Sequence, residues 1–190
     1  DGFTNPHRNQ GGNHPDTAYG LKGLLLTYYL TGYEKAYASA LELADCIEYR
    51  LRNDRNLCDA FPDCSGEGSG LDAGLYESGS RPAANALSIA VEAYRATADP
   101  RYLTVADAVV AWADPDVQPY ITGPTGEDQY VKPWLLNMYL RSLGAYLEMR
   151  DEFGLADDMD ARGDYLAYAD WLRTYAWLDL EPVDAGRRAA

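Results

Sequence analysis

Residues 14–51, HPDTAYGLKGLLLTYYLTGYEKAYASALELADCIEYRL, decide the fold because they predict two helices joined by a very short turn. Asp16 or Thr17 is expected to cap the first helix, and Thr31-Gly32 is expected to end it. Apolar residues recur at helical spacing in both helices. They are Tyr19, Leu21, Leu24, Leu25, Tyr28 and Tyr29 in the first, and Tyr33, Ala36, Tyr37, Ala40, Leu41, Ala44, Ile47 and Leu51 in the second. We therefore expect an antiparallel helical hairpin over about residues 16–52.

The rest of the chain predicts two further hairpins of the same kind. A third helix is expected to begin with Ser80 or Arg81 as its cap, and the Asp99-Pro100 pair ends it and starts a fourth. These two helices form a hairpin over about residues 81–114, and a fifth and sixth helix form one over about 133–177. The acidic string at residues 157–164 is interpreted as the start of the sixth helix, where the helix dipole favours negative charge. The fold class is therefore all-α, in one domain spanning residues 1–190.

A weak internal repeat and the lengths of the connections indicate how the hairpins are arranged. A shift of about 66 positions lays Tyr28 on Tyr94 and Thr31 on Thr97. Turns inside the hairpins are short, whereas long polar segments lead into the first, third and fifth helices. In an array wound in one direction those segments lie at the same end, so one rim carries most of the loops. The expected architecture is therefore an array of three antiparallel hairpins.

Bulk composition limits the classes of function. The chain has 190 residues, 47% of them hydrophobic, which is enough for one sizeable core. Its formal net charge of -14 disfavours nonspecific binding to nucleic acid or to an anionic membrane. It contains no run of about 18 apolar residues that would span a bilayer. The start, DGFTNPHRNQ, is not a signal peptide and lacks Met, so we expect a piece of a longer protein.

The three cysteines leave two interpretations open. Cys58 and Cys64 flank a loop that a disulfide would close, which leaves Cys46 as a free thiol. All three are equally well explained as free thiols. A metal site is less well supported, because no CxxC pair is present and both histidines are distant in sequence.

One stretch carries a family resemblance. The run YGLKGLLLTYYLTGYEKAYASALELAD, residues 19–45, resembles the hairpins of the (α/α) toroid carbohydrate-active enzymes, which include polysaccharide lyases and six-hairpin glycosidases. The resemblance implies a module that acts on a polysaccharide, with lyase chemistry slightly ahead of glycoside hydrolysis. Those toroids have about six hairpins and this chain has three, so the resemblance implies an arc or partial (α/α) toroid, half of a complete one. We further expect a secreted or periplasmic protein without a cofactor.

The first polar segment contains both histidines of the chain, His7 and His14, in the string HRNQGGNHPD. Histidine is the side chain best suited to move protons near neutral pH, and Arg8 and Gln10 are of the types that bind carboxylate and hydroxyl groups. Together with Asp16 they predict part of a cleft for a sugar acid. The alternative interpretation is a flexible terminal segment in which Asp16 only caps the first helix.

The second polar segment offers a weaker signal. Acidic residues such as Glu67 and Asp72 lie near glycines, but they lack the regular spacing of an EF-hand loop, so calcium is only weakly supported. A solvated acidic loop explains them better. Arg81 and Asn85 lie four residues apart on one helix face and could bind an anionic substrate or cap the helix.

The third polar segment, TGPTGEDQYVKPW at residues 122–134, offers acid/base groups. Asp128 is a candidate carboxylate, Tyr130 and Lys132 are candidate proton donors, and Trp134 could stack on a sugar ring. Hydrolysis needs two carboxylates roughly 5 to 10 Å apart across the scissile bond, so Asp128 would have to face a carboxylate from another segment, such as Asp16. Lyase chemistry instead needs a base and a group that neutralises a uronate carboxylate.

The predicted site therefore draws on all three polar segments. The predicted catalytic residues are His14, Tyr130, Asp128 and Asp16, and the predicted substrate-binding residues are His7, Arg8, Gln10, Tyr19, Arg81, Asn85, Lys132 and Trp134. The partner is a poly- or oligosaccharide, and exposed apolar flanks are covered by a second copy or by the remainder of a longer chain. The alternative function is a noncatalytic helical-repeat module that binds a saccharide or a protein, or supports a neighbouring domain.

Overall fold

The computed structural model describes residues 21–53, 60–64, 80–113 and 133–173, and the regular secondary structure within them is all helical. This confirms the all-α prediction. The helices are α1 (Lys22–Thr31), α2 (Glu34–Arg52), α3 (Ser80–Thr97), α4 (Pro100–Trp112), α5 (Pro133–Phe153) and α6 (Ala161–Trp171).

Two short turns with the same hydrogen-bond pattern join α1 to α2 and α3 to α4. In the first, Thr31 Oγ1 donates to the Thr27 carbonyl at 2.6 Å and accepts from the backbone N–H of Tyr33 at 3.2 Å. In the second, Thr97 Oγ1 donates to a carbonyl one turn back at 2.8 Å and accepts from an N–H two residues on at 3.1 Å. The residue after each threonine is left-handed, with φ 68 at Gly32 and 54 at Ala98. The turns therefore repeat at the 66-position shift seen in the sequence.

Helix starts agree with the local signals in two places and differ in one. Asp99 caps α4, since its carboxylate accepts from the backbone N–H of Arg101 at 3.0 Å, and Pro100 follows it. The Asp157 carboxylate accepts from the first N–H groups of α6, which confirms the acidic start of that helix. By contrast, α1 begins at Lys22 after Leu21, later than expected from Asp16 or Thr17, which lie outside the described residues.

Helix α3 lies at the centre of the described residues, in contact with α1, α2, α4 and α5, and most extensively with α5. Small buried side chains allow this close packing: Ala83, Ala84, Ala86, Ala90 and Ala93. Ser142 Oγ of α5 donates to the Ala84 carbonyl across a sequence separation of 58, and the Arg95–Glu152 pair has a separation of 57. A constant separation means that α3 and α5 run parallel, so their first turns lie at the same end.

The tyrosines divide between the core and the surface. Tyr94, Tyr139 and Tyr146 are buried, as their helical positions predict, and Tyr139 packs edge-on against Tyr168 with ring centroids 5.6 Å apart. The prediction was wrong for Tyr29 and Tyr33, which are exposed. Tyr29 lies on α1, which packs on α2 and α3, and Tyr33 lies in the turn that follows α1; both side chains face away from these neighbours. None of the described helices combines the length and hydropathy needed to cross a bilayer.

Candidate functional site

The structure describes little of the predicted site. Arg81 and Trp134 lie in the first turns of α3 and α5, but their side chains are outside the described set. Asn85 is described: it is half-buried in the second turn of α3 and engages a partner. Residues outside the described ranges are His7, Arg8, Gln10, His14, Asp16, Tyr19, Asp128, Tyr130 and Lys132.

The helix positions of Arg81, Asn85 and Trp134 show which end of the fold these predicted site residues share. Because α3 and α5 are parallel, Arg81 and Trp134 in the first turns and Asn85 in the second turn of α3 all lie toward one end of this helix pair. The polar segments that precede α3 and α5 join the helices at this same end. We call this end of the α3–α5 pair the entry rim.

A polar cluster that the sequence reasoning missed links α4 to α5. The Tyr146 hydroxyl donates to Asp107 Oδ1 at 2.6 Å, and Arg150 Nη1 donates to the same oxygen at 3.0 Å. Arg150 also donates to the Tyr146 oxygen at 2.6 Å and, through Nη2, to the Ala156 carbonyl. Its Nε is buried and has no hydrogen-bond partner among the described residues. The cluster therefore ties α4, α5 and the segment before α6 together through one guanidinium.

Burial governs the protonation of this cluster. It raises the pKa of Asp107, against the opposing effects of the Tyr146 hydrogen bond and the Arg150 charge. It also raises the pKa of Tyr146 well above the ordinary value, with Asp107 adding to the effect. Burial opposes the charge on Arg150, but Tyr146 and Asp107 outweigh it and raise the pKa of that guanidinium. Tyr146 is thus a neutral hydrogen-bond donor with no tendency to act as a base.

The raised pKa of Asp107 predicts a pH dependence of stability. Between its ordinary value of 3.8 and its higher native value, the folded state binds more protons at Asp107 than the unfolded state does. The free energy of unfolding of the wild type relative to Asp107→Asn should therefore be greatest at acid pH and fall as the pH rises through this window. Urea titrations of both proteins from acid to neutral pH measure the difference. A wild-type advantage that grows with pH would contradict the raised pKa.

A second cluster of the same residue types links α2 to α4 at the surface. The Tyr102 hydroxyl donates to Asp45 Oδ1 at 2.8 Å, and Arg101 Nη2 approaches the same oxygen at 3.4 Å. Arg101 also pairs with Asp99 at 2.8 Å, and this hydrogen bond lowers the pKa of the Asp99 carboxyl. The Asp45 and Arg101 side chains are 54% and 49% exposed, so solvent screens their interaction.

The cysteines support the disulfide interpretation. Cys64 is disulfide-bonded and Cys46 is a free, exposed thiol; the predicted partner of Cys64, Cys58, lies outside the described residues. Nearby Phe61 is buried, with the Arg52 guanidinium 5.1 Å from its ring centroid. The sequence reasoning had treated this stretch as part of a polar loop and missed the anchor. Within the described ranges, no group of His, Cys, Asp and Glu side chains is arranged to hold a metal ion.

Comparisons of the chain with protein-family models, with curated proteins and with solved structures found no match.

An exposed apolar surface on α1 is the remaining feature. It consists of Leu26, Tyr29 and Leu30 on α1 with Tyr33 in the following turn, and we call it the outer stripe. These side chains are between 53% and 76% exposed. Behind them, the Tyr28 ring contacts those of Tyr29 and Tyr37 with centroids 5.6 and 4.8 Å apart. The outer stripe is thus backed by ordered aromatic packing.

Proposed function

We propose that the chain is a helical-hairpin module of a carbohydrate-active enzyme that acts on a polysaccharide, with lyase chemistry slightly ahead of hydrolysis. The observation that carries the proposal is the parallel alignment of α3 and α5. It gives the two helices a shared entry rim, at which the segment carrying Asp128 and Tyr130 joins α5, whereas His14 and Asp16 precede α1. Sites on rigid helical scaffolds are commonly mounted in this way, on loops at one end.

Further contacts support the hairpin and toroid arrangement. The two threonine turns have matching hydrogen bonds, as expected of a repeated unit. Contacts between α5 and α6 pair Tyr139 with Tyr168 and Gly144 with Tyr165. Residue numbers rise along α5 as those of their contacts fall along α6. That order is expected of an antiparallel pair. Three such pairs form an arc, which is half of a six-hairpin toroid.

In the proposed lyase reaction, His14 or Tyr130 removes the proton from the carbon beside a uronate carboxylate. The C–O bond to the leaving sugar then breaks, a C=C bond forms, and a second group protonates the departing oxygen. Arg81 and Asn85 neutralise the carboxylate, which stabilises the enolate-like charge of the transition state. In the hydrolytic alternative, Asp128 and Asp16 take the acid and base positions on opposite sides of the bond.

A substrate screen tests the proposal. The purified chain is incubated with acidic and neutral polysaccharides, and the ultraviolet absorbance of unsaturated uronate ends is recorded together with reducing-sugar release. A rise in both signals indicates a lyase, and reducing ends alone indicate a hydrolase. Because the proposal includes no metal, a chelator should leave the rate unchanged. Silence in both signals, with intact helices by circular dichroism, would contradict the enzymatic proposal.

The His14→Ala variant should lose activity by at least about 100-fold, the usual contribution of an acid/base group, and retain its helical circular dichroism. His7→Ala is the matched control, since the same change at a substrate-binding residue should raise KM and leave kcat near the wild-type value. A fully active His14→Ala protein would remove His14 from the mechanism.

We propose a secreted or periplasmic location. The disulfide at Cys64 supports it, since disulfides persist mainly in oxidising compartments.

A second candidate function is a noncatalytic module that binds a saccharide or protein partner or supports a neighbouring domain. The exposed outer stripe favours it, because contiguous exposed apolar side chains commonly mark interaction surfaces. Binding of an oligosaccharide without turnover, measured by calorimetry, would favour this candidate over the enzyme.

A further inference from the structure

Helix α1 is apolar on two sides, and only one of them is covered. Leu21 and Leu25 are buried against the core, whereas Leu26, Tyr29 and Leu30 project from the other side. A helix that is apolar all round is normally buried all round. The composition of α1 is therefore that of an internal helix, although its outer side is exposed.

Helix α3 shows how an internal helix of this fold is covered. It has α1 and α5 in contact as well as α2 and α4, and nearly all its described apolar side chains are buried. The contacts of α1 are with α2 and α3. The outer stripe is thus the surface on which one more helix would pack.

The charges around the outer stripe indicate what that helix is. Of the described helices, α1 alone has no acidic residue, in a chain whose net charge is -14. Two copies of so acidic a protein repel each other over most of their surfaces, and α1 itself contributes no acidic side chain to that repulsion. Lys22 lies one turn before Leu26 at one end of the stripe, and Glu34 follows Tyr33 at the other. When two stripes pair antiparallel, Lys22 of each copy lies toward Glu34 of the other, and the charges attract. When they pair in parallel, like charges meet and repel.

We propose that a second copy of this chain docks on the outer stripe, with α1 packed antiparallel against α1 about a two-fold axis. Such an interface is self-complementary. The antiparallel register sets Leu26 against Tyr33 and Tyr29 against Leu30 of the second copy, and Lys22 near its Glu34. The dimer surface is separate from the entry rim, so its existence does not depend on the enzymatic proposal.

Sedimentation velocity of the full chain across the micromolar range tests the dimer. We expect a reversible monomer–dimer equilibrium in the wild type. Leu30→Glu places a carboxylate in the middle of the interface and should raise the dimer Kd by at least about 100-fold. Leu166→Glu is the matched control, because Leu166 is also an exposed leucine but lies on α6, and the dimer Kd of this variant should equal that of the wild type.

A charge exchange tests the antiparallel register. Lys22→Glu and Glu34→Lys should each weaken the dimer, and the double variant should restore it toward the wild type. A wild-type chain that stays monomeric with native circular dichroism overturns the proposal, as does a dimer that Leu30→Glu leaves intact. A monomer whose tyrosine fluorescence responds to an oligosaccharide, or to another protein, would assign the stripe to that occupant and also overturn it.

Discussion

Replacing Asp107 by alanine should lower the free energy of unfolding by about 3 kcal/mol, because it leaves a buried arginine without its counter-charge. The Arg150 side chain is 9% exposed and pairs at 3.0 Å with Asp107, whose side chain is 35% exposed, which places the expected loss at the low end of the range for buried ion pairs. Without the carboxylate, Arg150 retains Tyr146 and the Ala156 carbonyl as partners, and the Tyr146 hydroxyl loses its acceptor. Urea unfolding followed by circular dichroism measures the change. An unchanged slope with denaturant would show that stability, and not compactness, has changed.

The chain provides a matched control for this prediction. Asp45 also accepts from a tyrosine hydroxyl and lies beside an arginine, but both charged side chains are about half exposed. Asp45→Ala should therefore cost at most about 1 kcal/mol. Combining Asp107→Ala with Arg150→Met removes the orphaned charge and should recover part of the loss. Equal effects at Asp107 and Asp45, or no recovery in the double variant, would contradict the account.

Tyr168→Ala should cost about 3 to 5 kcal/mol, the range observed when a large buried aromatic side chain is truncated. Tyr168 is fully buried, its ring packs against Tyr139, and its hydroxyl donates to the Ala113 carbonyl at the end of α4. Tyr168 and Ala161 are the two buried residues of α6, so they supply most of the apolar contact that holds this helix on the core. The loss should therefore appear first as faster amide hydrogen exchange in α6, with α3 retaining most of its protection.

Two variants separate the contributions of Tyr168. Tyr168→Phe keeps the ring but leaves a buried carbonyl without its donor, so it should cost about 1 to 3 kcal/mol. Leu166→Ala changes an exposed position of the same helix and should shift stability by at most about 0.5 kcal/mol. If Leu166→Ala releases α6 as readily as Tyr168→Ala, the proposed anchor is wrong.

The sequence predicts the local parts of this fold well. The Thr31-Gly32 turn and the Asp99-Pro100 boundary follow from backbone chemistry within a few residues, and both lie where predicted. Burial on α1 was predicted less well, and Tyr29 is the instructive case. Helical spacing shows which residues are apolar, but it does not show which side of a helix a neighbour covers.

The polar contacts between distant helices were harder to predict for a related reason. Asp107 and Tyr146 are separated by 39 positions and meet only because α4 and α5 both pack on α3. The one local signal was a tyrosine and an arginine four residues apart, Tyr146 and Arg150, on the buried side of a helix. The predicted catalytic groups came instead from polar segments, where composition indicates chemistry but sets no geometry, and they stay predictions.

The two Asp–Tyr–Arg clusters have a consequence for how the helices are aligned. Apolar burial is non-directional, so it defines the axial offset of two helices less sharply than a hydrogen bond, whose distance and angle are specific. Helix α4 is held on one side by Tyr102 to Asp45 and on the other by Asp107 to Tyr146, and each hydrogen bond can form at only one axial position. These two hydrogen bonds fix the axial positions of α2, α4 and α5 relative to one another. Substitutions among apolar core residues can therefore leave the alignment of the helices unchanged.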